Sequence, residues 1–104
     1  MKPARLLPAA RRDLDGIWSY SVERWGRDQA IRYLLALADA WQAIADGTWQ
    51  GRPMDAARQG YRALATGSHL ICYRQAKDGA IEVVRILHER MDVPNRLGRA
   101  PRSR

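Results

Sequence analysis

The chain has 104 residues, enough for one hydrophobic core and too few for two. Apolar residues make up 46% and charged residues 28%, the balance of a globular domain rather than a disordered one. The net charge is +7, and more than half of that excess sits in residues 95–104, where Arg96, Arg99, Arg102 and Arg104 occur with no acid.

In chain order, residues 3–7 read as a short strand stopped by Pro8, itself suited to the first position of a helix. Leu14, Ile17, Trp18, Val22 and Trp25 then recur at helical spacing, with Gly16 a weak point and Gly26 a natural stop. The stripe assigns Trp18, Trp25 and Trp41 to the core. A second helix follows at once, with Asp28 in a favourable first-turn position and Ala30, Leu34, Leu37, Ala38, Trp41, Ile44 and Ala45 on one face, closed by Asp46-Gly47. Two long helices joined by two or three residues fold back as an antiparallel hairpin, and each stripe is wide enough to need a further layer over it.

Residues 47–60, with Gly47, Gly51, Pro53 and Gly60, read as a loop that has room for a helical turn over 54–58. Trp49 in this loop either covers the core or stands exposed for a partner. Strand patterns occupy 60–65, 68–74 and 80–87, broken at Thr66-Gly67 and at Lys77-Asp78-Gly79, which gives a three-stranded meander. Val83, Val84, Ile86 and Leu87 put apolar groups on both faces of the last strand, which makes it central and leaves room beside it for the N-terminal strand. The expected fold is therefore α+β in the order β-α-α-β-β-β, a helical hairpin packed on an antiparallel sheet. Residues 1–94 form a single domain and residues 95–104 a basic tail. That tail is either a solvated end or a contact for an acidic protein or a phosphate backbone.

Several chemistries are excluded. No Gly-rich phosphate loop, no pair of histidines or cysteines at metal-ligand spacing and no nucleophile elbow occurs, so neither metal nor cofactor is expected. No apolar run approaches the roughly 18 residues that span a bilayer, and the first residues lack the apolar stretch of a secretory signal. Cys72, the lone cysteine, asks for no oxidising compartment. A cytoplasmic protein without a membrane partner is expected.

What remains is a polar set in and after the meander: Arg62, Arg74, Arg85, His88, Glu89, Arg90 and Asp92. Strict alternation puts Arg85 on a face with Val83 and Leu87, and His88 on a face with Val84 and Ile86. An arginine on such a strand is costly unless paired, and Glu82, Glu89 and Asp92 are the acids within sequence reach. The other reading is a basic cleft gripping phosphate or carboxylate by bidentate contacts. His88 is either a hydrogen-bonded structural residue or a general acid or base.

Taken together these residues resemble the ParE branch of the RelE/ParE toxin superfamily. The resemblance covers residues 9 to about 97. It rests on the first-helix pattern from Ala10-Arg11-Arg12-Asp13-Leu14 to Tyr20, on Trp25-Gly26, Ala30 and Tyr33, and on Gly60-Tyr61-Arg62. Gly67-Ser68-His69-Leu70-Ile71-Cys72-Tyr73-Arg74 and the run Val83 to Asp92 complete it. The resemblance implies a toxin encoded beside an antitoxin, one that inhibits DNA gyrase without an enzymatic activity of its own. The implied partner is a ParD-like antitoxin in a hetero-oligomer. Its acidic segment wraps the toxin, and its DNA-binding part is the toxin's only, indirect, link to DNA.

The hairpin face and sheet edge suit helix-in-groove and added-strand recognition. Trp25, Tyr33, Trp49, Arg62 and Arg74 are accordingly the expected antitoxin contacts, and Arg85, His88, Arg90, Asp92, Arg96 and Arg99 the expected target contacts. The alternative is a RelE-like nuclease that cuts messenger RNA on the ribosome, with Arg62, Arg85 and His88 as its catalytic groups. The C-terminal tyrosine common in those nucleases is missing, since Tyr73 is the last tyrosine, and Lys2 and Lys77 are the only lysines. A plain nucleic-acid-binding domain accounts for the tail but not for the hairpin.

Overall fold

A computed structural model describes residues 4–54 and 60–90. Pro3, the proposed turn beyond Met54, Asp92, Arg96, Arg99 and the basic tail lie outside the described residues. The element order is β1 (Ala4–Leu6), α1 (Pro8–Trp25), α2 (Arg27–Ala45), β2 (Arg52–Pro53), β3 (Arg62–Thr66), β4 (His69–Gln75) and β5 (Ile81–His88).

Pro8 opens α1 with a preset φ and no amide to satisfy. Gly26 alone joins the helices, one residue rather than two or three. Its φ of 88° is open to glycine at little cost, and it serves both as the cap of α1 and as the start of α2. Asp28 falls in the first turn of α2, as the sequence suggests.

The sheet runs β1-β5-β4-β3-β2. The meander β3-β4-β5 is antiparallel, with β5 central, but β1 pairs with β5 in parallel, from Ala4 opposite Ile81 to Leu6 opposite Val83. The sheet is therefore mixed: the helical hairpin leads from β1 at one edge to β2 at the other, and the meander then returns to β5 beside β1. A further correction is β2, which the sequence reads as loop. Its Pro53 has no amide to give and is tolerated because β2 is an edge.

One face of the sheet carries Ile71, Tyr73, Ile81, Val83 and Ile86 against Ala10, Ile17, Leu37, Ala40 and Ile44 of the hairpin. The other carries a smaller cluster of Tyr61, Cys72 and Leu87, with Met54 and Val84 beside it. Burial pushes the Cys72 thiol up to about 12, so it stays protonated and packs as an apolar group. The expected alternation along β5 is wrong. Cys72 pairs with Arg85 but Tyr73 pairs with Val83, so β5 holds one extra residue. That bulge puts Val83 and Ile86, three apart, in the helix-side core, while Val84 and Leu87 join the opposite cluster. Trp18 and Trp41 are half-buried, but Trp25 is 52% exposed, because burial along α1 stops at Val22, before its last turn.

Arg85 does have an acidic partner, though not one of the three near it in sequence. Its Nε donates to Oδ2 of Asp13 at 2.7 Å and its Nη2 to Oδ1 at 2.9 Å, while the Ile86 amide donates to Oδ2 at 2.9 Å. The last β1-side bond to β5 is Leu7 N–H to Val83 O, so the Asp13 carboxylate takes over the edge of β5 where β1 ends. The two side chains are 15% (Asp13) and 25% (Arg85) exposed. The exposed Arg5–Asp78 pair, by contrast, is open to water on both sides.

Replacing Asp13 by asparagine keeps the shape but removes the charge, leaving Arg85 mostly buried without a counter-ion. We expect a loss of about 2 kcal/mol in urea unfolding. Arg5→Gln should leave the midpoint where it is.

Candidate functional site

Beside Asp13 the chain forms an open groove of about 660 Å³ between α1 from Arg12 onward, Tyr33 of α2, the β3–β4 turn and the end of β5. Arg12, Gly16 and Tyr20 follow one another at four-residue spacing along its α1 wall. A methyl group at Gly16 would meet nothing within 4 Å, so the glycine keeps the groove wide between its two large neighbours. Tyr20 is 58% exposed and stands edge-on to Trp25, with ring centroids 6.0 Å apart. Trp25 in turn lies 6.4 Å from Tyr33. Half-exposed aromatic rings gathered beside Arg12 and Arg90 are a surface suited to an amphipathic partner.

The floor is held by Tyr33. The Ser68 amide donates to its phenol oxygen at 3.0 Å, and the phenol lies 2.6 Å from Nδ1 of His69. The direction of this bond follows the imidazole tautomer: with the ring proton on Nε2, the phenol donates to Nδ1. Burial lowers the His69 pKa, and the nearby His88 lowers it further; the rings meet edge-on at 5.4 Å. Burial also raises the Tyr33 pKa. Gly67, at φ 58°, turns the chain directly over Tyr33, whose ring would lie 2.7 Å from any Cβ there. His88 accepts the Arg90 amide on Nδ1 at 3.1 Å, which orients the ring at the end of β5.

The residues expected from the sequence are regrouped. Trp25 and Tyr33, expected to meet the antitoxin, line the same groove as His88 and Arg90, expected to meet the target. Arg85 is engaged by Asp13. Trp49, Arg62 and Arg74 line a separate pocket of about 390 Å³. Arg74 donates to Glu82 and to the Tyr61 hydroxyl, and Arg62 to the Gly51 carbonyl.

The three groups named for the nuclease alternative are not brought together. Arg62 lies opposite Tyr73, whereas His88 lies opposite His69, which faces Thr66. That offset is four residues along β3, about 13 Å. Among the described residues no cluster of three or more His, Cys, Asp or Glu is placed to hold a metal.

Sequence reasoning missed Asp13, Gly16, Tyr20 and His69 as site residues. Asp13 left a signal: it lies three residues after Ala10 and four before Ile17, a carboxylate on the flank of the buried stripe.

Residues 4–93 match the family described as ParE toxin of type II toxin-antitoxin system, parDE. A Mycobacterium tuberculosis protein named Toxin ParE1 is 47% identical over 92 residues, 88% of this chain and 94% of its own. A Caulobacter vibrioides protein of the same name is 42% identical over 98 residues, 94% of this chain and all of its own. An Escherichia coli protein named Toxin ParE is 34% identical over 93 residues, 88% and 89% of the two chains. A solved structure titled as a chromosomal ParDE system from P. aeruginosa superposes with a TM-score of 0.71 at 22% identity, covering 85% of this chain and 96% of the other, a match of fold.

The neutral His69 makes stability pH-dependent. Its folded pKa lies below the unfolded value near 6.5, so the unfolded chain takes up the proton first and stability falls as pH drops through and below that value. Urea midpoints at pH 7.5 and 5.5 should differ, and His69→Gln should shrink the difference. An equal difference in both proteins would place the titrating group elsewhere.

Proposed function

This chain belongs to the ParE toxin family of type II toxin–antitoxin systems, and we propose that it blocks replication by binding and inhibiting DNA gyrase, held in check by a ParD-like antitoxin. The reading rests on the family and on one structural observation: a single groove gathers the exposed rings of Tyr20 and Trp25 with His88 and Arg90 at the end of β5. Tyr20 and Trp25 offer an antitoxin segment apolar contact, and Arg12 and Arg90 offer it charge. His88 and Arg90, at the end of β5, are the described groups best placed for a gyrase contact. The tail residues Arg96 and Arg99, and Asp92, extend that proposal beyond the described residues. An antitoxin seated in the groove then covers the toxic surface directly, so neutralisation is occlusion.

On this reading the chain acts in the cytoplasm without cofactor or metal, touches DNA only through its antitoxin, and is an inhibitor rather than an enzyme. The spread of Arg62, Arg85 and His88 over separate sites counts against the nuclease alternative. Among the described residues no helix is long and apolar enough to cross a membrane.

The purified chain should inhibit gyrase supercoiling and leave messenger RNA whole in a ribosome-dependent cleavage assay run beside it. In cells without antitoxin it should cause filamentation and signs of DNA damage. Cleaved RNA with untouched gyrase would overturn the proposal.

A further inference from the structure

The pocket around Trp49 stands apart from the groove, beyond the C-terminal end of α2, and is built differently. Arg62 is half-buried on β3 and donates from Nη1 to the Gly51 carbonyl at 2.8 Å. Among the described residues no carboxylate pairs with it, whereas the two other partly buried arginines, Arg74 and Arg85, are each held by an acid. A half-buried guanidinium with one main-chain acceptor retains several N–H donors that need an anion or water.

The surroundings are fixed. The Gly51 amide donates to the Tyr73 hydroxyl at 2.6 Å. A Cβ at Gly51 would lie 2.5 Å from the Ala63 carbonyl, so glycine alone lets this loop press onto β3 and pin Arg62. Arg74 stands in the same pocket with its Nε on Glu82. Among the described residues no acid lines the pocket. Gln50 and Gln75 add neutral amides, and Trp49, 52% exposed, supplies an indole face.

We infer that this pocket is a binding site for a carboxylate side chain of an acidic peptide segment, held by Arg62 with Trp49 as the apolar wall. The carboxylate that Arg62 lacks among the described residues is then supplied by a partner protein. A carboxylate fits the fork of a guanidinium by two parallel hydrogen bonds, and the indole covers the methylene groups of a glutamate beside it. Only the source of the peptide, the antitoxin, rests on the proposed function; the binding chemistry does not.

The test is a titration of the whole ¹⁵N-labelled chain, at low ionic strength, with hexaglutamate, hexauridylate or inorganic phosphate, following the Trp49 indole and Arg62 Nε–H signals. Hexaglutamate should move both, more weakly as salt is added. Arg62→Gln should weaken it about tenfold, the loss of one charge-assisted hydrogen bond. Trp49→Ala, at an exposed position that does not threaten folding, should weaken it several-fold, and Arg52→Gln on the neighbouring edge strand should not.

Signals that answer to hexauridylate or phosphate but not to hexaglutamate would overturn the inference in favour of a phosphate site. Movement confined to His69 and His88, or none at all, would overturn it outright. If gyrase inhibition persists while hexaglutamate is ignored, this inference falls and the proposed function stands.

Discussion

The Asp13 carboxylate carries more of this structure than its size suggests. β1 covers only the first three residues of β5, and past that point the edge of the central strand would be open. Asp13 closes it with three acceptor contacts, one to the Ile86 amide and two to Arg85, and so ties the first half of α1 to the sheet. Because α1 is anchored there, its next two turns pass over the end of β5 at a fixed spacing, and the groove lies in the space that remains. A pair of this kind is more valuable for setting geometry than for net stability, since taking both charges out of water offsets much of their attraction.

That placement determines what the groove can offer. Its floor, Tyr33 with His69, is hydrogen-bonded, while its rim is aromatic on the α1 side and carries Arg12 and Arg90 with Glu89 beside the latter. An acidic, amphipathic segment is complementary to both features, with charge accelerating encounter and the aromatic rings holding the bound state. Trp25 and Tyr33, expected at the antitoxin, share this groove with His88 and Arg90, expected at the target, so the proposed neutralisation requires no conformational relay. The second pocket, where Arg62 has no carboxylate partner among the described residues, would give a long antitoxin segment a further anchor at the far end of α2.

Much of the fold is legible in the sequence. The two helical stripes, the glycine between them and the three strand patterns each report a local preference, and the local preferences agree with the fold. The misses have physical causes. A bulge at Val84 shifts the alternation by one residue, and nothing in a run of apolar residues announces it. Gly51-Arg52-Pro53 has the composition of a loop and becomes an edge strand only because Ala63 and Arg62 lie opposite. Trp25 belongs to the stripe by spacing but falls where burial has ended. Sequence proximity offers Arg85 only Glu82, Glu89 and Asp92, whereas tertiary folding brings Asp13 to it from 72 residues away. The aromatic and basic groups expected at the surface fall into two pockets, a division that depends on strand register, which sequence spacing alone does not supply.

The central claim is that one groove serves both antitoxin and target, so that the two exclude each other. It is tested most directly by holding gyrase on a surface, saturating it with this toxin, and adding purified antitoxin in steps. The expected result is stoichiometric release of toxin, in parallel with recovery of supercoiling and with no antitoxin retained on the surface. A stable assembly of gyrase, toxin and antitoxin in which supercoiling is nevertheless restored would contradict the account, for neutralisation would then act from a separate site.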